Sequence, residues 1–378
     1  MSLFFVVFFS LYSGMHFYAF LRARAAYAFG AAVAAPLSLF MLLMIFAPFL
    51  IRMSEKHGFE WIARLMSYVG YTWMGVLFLF CSASIVVDAY RVLVHVSGFL
   101  AQRNLASAMP SARSAFLLPL IVSAAIAMYG YFEAKHIRTE RVELRTPKIP
   151  AGVGRLTIVQ ISDVHVGLIV REDRLGRIVE KVKEAKPDIL VSTGDLVDGQ
   201  INGLEGMARL LSGIDAKYGK FAVLGNHEYY AGINQAMRFT RNAGFTILRD
   251  TSATGIINIA GVDDPAGGDL GVSERELLAG LPRDKFTLFL KHRPLVKSDS
   301  LGLYDLQLSG HAHDGQIFPF TLIVKQLYPT AAGWLDLPKN SHLYVSRGSG
   351  TWGPPIRFLA PPEVTVIELV SAPDRESR

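Results

Sequence analysis

Apolar residues are distributed unevenly along the 378-residue chain. Four long runs without charged residues lie in its first third, and only short apolar runs broken by polar turns follow them. Each long run is close to the ~20 residues that a helix needs to cross a hydrocarbon core of about 30 Å. The predicted spans are residues 3–20, 26–51, 66–87 and 115–132. The pattern therefore predicts a four-helix transmembrane region over residues 1–134 and a second domain over residues 135–378.

The composition agrees with a membrane protein. Hydrophobic residues make up 51% of the chain, and its mean hydropathy is positive. The net charge of +6 would also suit a nucleic-acid-binding protein, but much of the basic excess flanks the apolar runs, which favours contact with anionic lipid headgroups. We therefore expect membrane lipids as partners and no nucleic acid. The only cysteine, Cys81, has no partner for an intrachain disulfide.

The charged residues at the ends of the apolar runs indicate whether a signal peptide is cleaved and on which side of the membrane the second domain lies. A cleaved signal peptide is an alternative for the first run, but no Lys or Arg precedes it, and Arg22 and Arg24 follow it directly. Four spans place both termini on one side of the membrane, where the flanking segments carry eight Lys and Arg residues against five on the other side. This small bias predicts a cytoplasmic catalytic domain, and we expect a multi-pass protein of a bacterial inner membrane.

Short apolar runs in the second domain end in residues that bind metals. Residues 156–162 lead into Asp163 and His165, and residues 188–193 lead into Asp195. The other such runs are residues 221–224, 287–291 and 306–309, which lead into Asn226 and His227, into His292, and into His311 and His313. An apolar stripe at helical spacing lies between the first two runs, which predicts a βαβ unit and an α/β domain. Because strand ends meet at one edge of such a sheet, we expect these side chains to lie together.

The residue types at the strand ends suit a pair of metal ions. Hydrolysis of a phosphate ester needs positive charge and a pre-formed nucleophile, because the ester oxygens repel an incoming hydroxide, and two divalent ions supply both. Such a pair needs a bridging carboxylate, further oxygen and imidazole ligands, and an open edge for water and substrate. Asp, Asn and His side chains suit Mn, Fe or Zn, with Mn expected, and the lack of Cys ligands argues against a structural zinc.

These residues form ordered blocks that resemble those of the calcineurin-like metallophosphoesterase family. The blocks are Asp163-Val164-His165, Gly194-Asp195 with Asp198 following, Gly225-Asn226-His227-Glu228, His292, and Gly310-His311-Ala312-His313. The resemblance covers about residues 138–370. It implies a four-layer α-β-β-α sandwich and a metal-dependent phosphoric ester or pyrophosphate hydrolase.

The resemblance also implies a role for each ligand. Asp195 would bridge two divalent ions. One ion would be held by Asp163, His165 and His313, and the other by Asn226, His292 and His311. His227 would bind no metal and would stabilise or protonate the leaving group, so that Asp195, Asn226 and His227 are the predicted catalytic residues. Asn226 and His227 are also predicted to contact the substrate.

Two further groups of residues are candidates from their sequence context. Gly194, Gly225 and Gly310 precede ligands, where a sharp turn often needs φ values that only glycine adopts at low cost. Arg347 and Arg357 lie in Gly- and Pro-rich loops, and we predict that their guanidinium groups bind substrate phosphate. The alternative for both arginines is a solvated surface position.

Residues 261–264 and 347–353 resemble the membrane-associated branch of the family. That branch commonly has Gly-His-Thr-His-Gly-Gly-Gln where residues 310–316 read Gly-His-Ala-His-Asp-Gly-Gln. The departure at Asp314 adds a carboxylate near the site, which would alter metal preference or repel polyanions.

Attachment to a bilayer favours hydrolysis of a phosphoester or pyrophosphate bond in a lipid or lipid-linked substrate. Resemblance to members of this branch that are UDP-diacylglucosamine pyrophosphatases implies a UDP-diacylglucosamine as one such substrate. Apolar residues that would form a membrane-facing lip, or else lie in the core, are Phe318, Phe320, Leu322, Leu327 and Trp334. The alternative enzyme is an anchored phosphodiesterase or phosphatase that acts on soluble nucleotides or phosphoproteins. A non-catalytic membrane scaffold is disfavoured, because all seven ligands are present together with His227.

Overall fold

The computed structural model describes residues 2–150, 152–199, 203–268 and 272–372, with the backbone alone for residues 2–4. It consists of two compact units. The first comprises Met1–Phe132 and Gly353–Phe358, and the second comprises Glu133–Trp352 and Leu359–Arg378. The short return segment belongs to the first unit because the backbone N–H of Arg357 donates to the carbonyl of Gly130 at 3.0 Å. The sequence did not indicate this return.

The first unit contains four helices, numbered here in chain order. They are α1 (Ser2–Tyr27), α2 (Ala31–Lys56), α3 (Glu60–Ala101) and α4 (Ala112–Glu133). In the described part of the chain, the helices long and apolar enough to cross a membrane are Ala31–Lys56, Glu60–Ala101 and Ala106–Glu133. Helix α1 contains the first predicted span, residues 3–20, and carries His16 and Tyr18 among its apolar residues. Three of the four predicted spans overlap these helices, and a first span in α1 stays a prediction.

Helix α3 is much longer than the predicted third span at residues 66–87. Its 42 residues extend over roughly 63 Å at 1.5 Å per residue, about twice the thickness of a hydrocarbon core. The helix continues through Asp88, whose carboxylate has partners on α1. Arg22 Nη1 lies 2.7 Å from Asp88 Oδ1, and the Tyr18 hydroxyl donates to Oδ2 at 2.6 Å. Pairing lowers the cost of a charge at the end of an apolar run.

The second unit is built on two six-stranded sheets. In spatial order, the first sheet contains β1 (Arg138–Thr146), β12 (Glu363–Ser371), β2 (Arg155–Ile161), β3 (Ile189–Ser192), β4 (Lys220–Ala222) and β5 (Thr246–Ile247). The second contains β10 (Gly333–Leu337), β11 (Ser341–Val345), β9 (Leu306–Ser309), β8 (Thr287–Leu290), β7 (Asn258–Gly261) and β6 (Thr251–Thr254). Strands β2 to β5 are mutually parallel, as are β11, β9, β8 and β7. The five predicted strands are therefore β2, β3, β4, β8 and β9.

Helices cover the outer faces of the two sheets. They are α5 (Glu172–Glu184), α6 (Glu205–Ser212), α7 (Asn226–Ala231), α8 (Ile233–Asn242), α9 (Glu274–Ala279) and α10 (Thr321–Leu327). Ile158 and Leu288 belong to a buried cluster that joins the inner faces of the two sheets. Leu175 of α5 packs in a second cluster against the outer face of the first sheet, and Leu278 of α9 in a third with residues of the second sheet. The predicted four-layer sandwich is confirmed.

Candidate metal centre

Five strand ends bring the predicted ligands into one buried site. The loops after β2 and β9 supply the first group, in which Asp163 Oδ1 lies 3.4 Å from His313 Nε2. His165 Nε2 lies 3.1 Å from the same nitrogen of His313. One donor atom from each of these three residues lies within 4.8 Å of the others. The three residues of the first predicted ligand group are thus close enough together to bind one metal ion.

The loops after β3, β4, β8 and β9 form the second group, centred on His292. Its Nε2 lies 3.2 Å from Asp195 Oδ2, 3.2 Å from Asn226 Oδ1 and 3.1 Å from His311 Nδ1. The other ring nitrogen of His292 lies 2.8 Å from the carbonyl of Thr193, which fixes the ring and directs Nε2 into the site.

The Asp195 carboxylate lies between the two groups. Its Oδ2 is 3.2 Å from His292 Nε2 in one group and 3.9 Å from His165 Nε2 in the other. Its Oδ1 accepts a hydrogen bond of 2.8 Å from the backbone N–H of His227. This is the location that a bridging ligand requires, although the ligand assignments themselves stay predictions.

The donor set fits divalent cations. The Nε2 atoms of His165 and His313 face each other at 3.1 Å, so their lone pairs repel unless a proton or a cation lies beside them. Burial raises the pKa of Asp163, but the nearby His313 outweighs that effect and holds the pKa below its ordinary value. Fully buried carboxylates and close imidazoles without thiolates are what Mn, Fe or Zn would require.

Five of the seven predicted ligands have a left-handed backbone. The residues concerned, Asp163, His165, Asp195, His311 and His313, have φ values from +50° to +67°. Non-glycine residues adopt this region at a cost of order 1–3 kcal/mol each, and they keep it only where the surrounding structure enforces it. Such strain concentrates at functional sites, and nothing in the sequence pattern indicated it.

The glycines beside the ligands differ in what they contribute. Gly194 has a φ of +96°, as predicted, and a Cβ there would lie 2.7 Å from His292 Nδ1. Gly225 has a φ of −98°, and Gly310 is likewise absent from the positive-φ residues of the described chain. A Cβ at Gly225 would collide with the Asp195 carboxylate, and one at Gly310 with Asp163. For these two the prediction of a special φ is wrong, because glycine instead provides space.

His227 lies at the edge of the site and is held by Asp198. Its Nδ1 lies 3.0 Å from Asp198 Oδ1, which is also 3.4 Å from His165 Nδ1. Burial lowers the pKa of His227, but Asp195 and Asp198 together raise it to about 9. The rings of Tyr230 and Trp352 lie 5.4 and 5.9 Å from the His227 ring. The sequence blocks included Asp198 but indicated no role for it.

Glu228 is a second residue whose role sequence reasoning missed. Its buried carboxylate accepts four backbone hydrogen bonds: from Gly225 at 2.7 Å, Asp195 at 2.9 Å, Leu196 at 2.7 Å and Val197 at 3.2 Å. It thereby joins the loop after β4 to the loop after β3. The only signal was its place in the Gly225-Asn226-His227-Glu228 block.

The two predicted phosphate-binding arginines have partners within the fold. Arg347 pairs with Glu140 and lies 2.6 Å from Glu363 through Nε. Arg357 is completely buried and belongs to the first unit. Substrate binding by either arginine stays a prediction.

Asp314 belongs to none of the metal-ligating groups among the described residues, and its carbonyl accepts a hydrogen bond of 2.7 Å from the Thr321 hydroxyl.

Comparison with known proteins places this geometry in a family. The calcineurin-like phosphoesterase family matches residues 156–315. A metallophosphoesterase of Aquifex aeolicus (strain VF5), itself uncharacterised, is 38% identical over 66% of this chain and 98% of its own length. The chain belongs to the calcineurin-like metallophosphoesterases. Its family resemblance and its assignment as a phosphoester hydrolase are thereby confirmed.

Relatives with membrane segments also match. A transmembrane protein with metallophosphoesterase domain from Danio rerio is 31% identical over 68% of this chain and 63% of its own length. Its counterpart from Bos taurus is 29% identical over 82% of this chain and 75% of its own length. Together with the apolar helices, these relatives indicate membrane association. The family typically binds divalent metals, and the Asp and His clusters described above could hold them.

Proposed function

We propose that this metallophosphoesterase hydrolyses a phosphoester or pyrophosphate bond in a lipid or lipid-linked substrate such as a UDP-diacylglucosamine. The observation that carries the proposal is an exposed apolar lip on the catalytic unit, next to the ligand loop. We define the apolar lip as Phe318, Phe320, Leu322, Ile323 and Leu327, which are 37 to 65% exposed. Clustered apolar groups of this size on a surface commonly mark an interaction site.

The apolar lip is tied to the metal-ligating loop. It begins five residues after His313, and the Thr321 hydroxyl in its middle binds the Asp314 carbonyl. The ring of Tyr328, directly after the lip, lies 5.8 Å from the ring of His311. Trp334, which the sequence had grouped with these residues, instead packs partly buried against the core between the sheets. A lipid bound at the lip would therefore have its headgroup close to the metal-ligating residues.

The residues of the site divide the reaction between them. Divalent ions held by the two ligand groups would supply positive charge and activate the attacking water. Water oxygen forms the new bond to phosphorus while the bond to the leaving oxygen breaks. His227, oriented by Asp198, is positioned to give a proton to that leaving oxygen. Manganese is the metal proposed, and iron, zinc or a mixed pair are alternatives that metal analysis after reconstitution would distinguish.

The cellular setting completes the proposal. The basic residues that flank the spans support a bacterial inner-membrane location with a cytoplasmic catalytic unit, membrane lipids as partners, and no nucleic acid. Because Cys81 is the only cysteine, a Cys81→Ala chain with one new cysteine at the exposed Glu184 would report orientation. Labelling of that cysteine by an impermeant maleimide in intact cells would contradict the cytoplasmic assignment.

A substrate panel tests the proposed activity. Full-length protein in lipid nanodiscs with Mn²⁺ would be given a UDP-diacylglucosamine, phospholipids and soluble nucleotides, with Asp195→Asn as the inactive control. We expect product release from a lipid substrate that exceeds release from soluble nucleotides. Good cleavage of soluble nucleotides with no release from lipids would contradict the proposal and favour the alternative phosphodiesterase. Bis-nitrophenyl phosphate and nitrophenyl phosphate would separate diester from monoester preference.

A further inference from the structure

Arg293 lies directly after the predicted ligand His292 and has no assigned role. Its charge acts on both flanks of the site. Arg293 lies close enough to His311 to interact with it electrostatically. Tyr230, which packs beside His227, and Tyr328, which packs beside His311, both lie close enough to interact electrostatically with Arg293. The partly exposed guanidinium is therefore near the rim of the site, close to both tyrosines.

The Asp264 carboxylate holds the Arg293 guanidinium in a fixed position. Arg293 Nε donates to Asp264 Oδ2 at 2.7 Å, and Nη2 donates to Oδ1 at 2.9 Å. The Asp264 side chain is fully buried, whereas 29% of the Arg293 side chain is exposed. A bidentate pair of this kind fixes the plane of the guanidinium. Within the described ranges, the third nitrogen, Nη1, has no hydrogen-bond partner, so it is available to a ligand.

Arg249 offers an internal comparison. It pairs with Asp263, which directly precedes Asp264 in the chain: Arg249 Nε donates to the Asp263 carboxylate at 2.7 Å. Its Nη2 donates to the Tyr229 hydroxyl at 3.4 Å, and its Nη1 lies 3.8 Å from the Met237 sulfur. All three nitrogens of Arg249 are therefore used within the protein. The two arginines have similar exposure and similar ion pairs, and they differ in the availability of Nη1.

We propose that Arg293 is a substrate-binding residue that donates a hydrogen bond from Nη1 to a phosphate oxygen of the substrate, with Asp264 as its positioning residue. The reasons are its place beside His292 at the site rim, its fixed orientation and its available donor. Guanidinium groups recognise phosphate oxygens through such charge-assisted bonds. The inference rests on the proposed function only in requiring a substrate that carries phosphate, whether lipid-linked or soluble.

Binding of inorganic phosphate tests this role without depending on the natural substrate. Full-length protein loaded with Mn²⁺ would be titrated with phosphate by calorimetry, as wild type and as Arg293→Gln, Arg293→Lys and Arg249→Gln. A hydrogen bond to a charged group contributes enough that we expect Arg293→Gln to weaken phosphate binding roughly tenfold or more. We expect an intermediate loss for Arg293→Lys, which keeps the charge but loses the planar pair with Asp264. Arg249→Gln should bind phosphate like the wild type.

Arg293→Gln leaves Asp264 as a buried charge without its partner, so metal content and thermal midpoint must be measured beside binding. If the single variant has a lower metal content or thermal midpoint, the double variant Asp264→Asn with Arg293→Gln is used instead. It removes both charges, so its phosphate affinity shows whether Arg293 binds phosphate. Wild-type phosphate affinity in a folded, metal-loaded Arg293 variant would overturn the proposal, as would an equal loss in Arg249→Gln. The lipid and nucleotide panel reports on the proposed function separately, because phosphate affinity does not depend on which ester is cleaved.

Discussion

The carboxylate of Glu228 accepts a hydrogen bond of 2.9 Å from the backbone N–H of Asp195, the residue predicted to bridge the metals. The same side chain binds three further backbone N–H groups in the loops after β3 and β4. A carboxylate can accept all four hydrogen bonds, whereas a side-chain amide cannot, because its NH₂ would face other donors. Glu228 therefore connects the stability of the fold to the position of the bridging ligand.

We predict that Glu228→Gln lowers the free energy of unfolding by about 2–4 kcal/mol, because buried N–H groups lose their acceptor. Metal content should fall with it, since the Asp195 loop loses its support. Denaturant unfolding and metal analysis of the purified protein would measure both effects. Glu184→Gln on the exposed surface of α5 is the matched control and should change neither quantity. Unchanged stability in Glu228→Gln would show that the four hydrogen bonds are dispensable.

Asp198 Oδ1 lies 3.0 Å from His227 Nδ1 and 3.4 Å from Nδ1 of the predicted ligand His165, so metal content must be measured beside activity when Asp198 is replaced. We predict that Asp198→Asn keeps the metal ions but loses about 10- to 100-fold in kcat, as expected for a residue that orients a functional histidine. The loss should be larger for an alkyl phosphate diester than for bis-nitrophenyl phosphate, because nitrophenolate leaves without a proton. Equal losses for both leaving groups would contradict proton donation by His227.

Replacement of Gly225 tests why glycine is needed at this position. The structure indicates that the absence of a Cβ matters there and that the backbone conformation does not. Its φ of −98° suits any residue, but an added Cβ would collide with the Asp195 carboxylate. We predict that Gly225→Ala costs about 1–3 kcal/mol of stability and abolishes most activity. Gly176 in α5 has open space around it, so Gly176→Ala should stabilise the protein by about 0.5–1 kcal/mol. Thermal unfolding and bis-nitrophenyl phosphate hydrolysis would compare the two; normal activity in Gly225→Ala would contradict the steric argument.

The sequence predicts the strands and the candidate ligands at their ends, because one local pattern, an apolar run followed by a metal-binding residue type, marks both. The run before Asp163 is a strand because its apolar side chains face the core, and the ligand follows because strand ends converge at one edge of the sheet. The same argument predicts the positions of His292 and the other strand-end residues. The four-layer arrangement followed from the family blocks rather than from periodicity.

Features that depend on tertiary contacts were not predictable. His311 has a left-handed backbone with a φ of +67°, and its N–H donates at 3.0 Å to Asp163 in a loop distant in sequence. Asp88, which lies within the extended α3, pairs with Arg22 and Tyr18 of another helix. Arg347 was predicted to bind phosphate from its Gly-rich context, whereas its ion pairs with Glu140 and Glu363 require two strands remote in sequence. Sequence pattern carries little information about such long-range pairs.

The apolar lip makes the lipid hypothesis testable within a single protein. We predict that Phe320→Ser with Leu327→Ser reduces kcat/KM for a lipid substrate in nanodiscs about tenfold or more, because burial of each side chain in lipid contributes about 1.5–3 kcal/mol when complete. Hydrolysis of soluble bis-nitrophenyl phosphate should be unchanged, since neither side chain is a predicted ligand. Leu210→Ser, at an exposed apolar position of α6, is the control and should affect neither substrate. If the double variant lost both activities equally, the lip would be part of the fold rather than a lipid-binding surface, and the case for a lipid substrate would lose its main support.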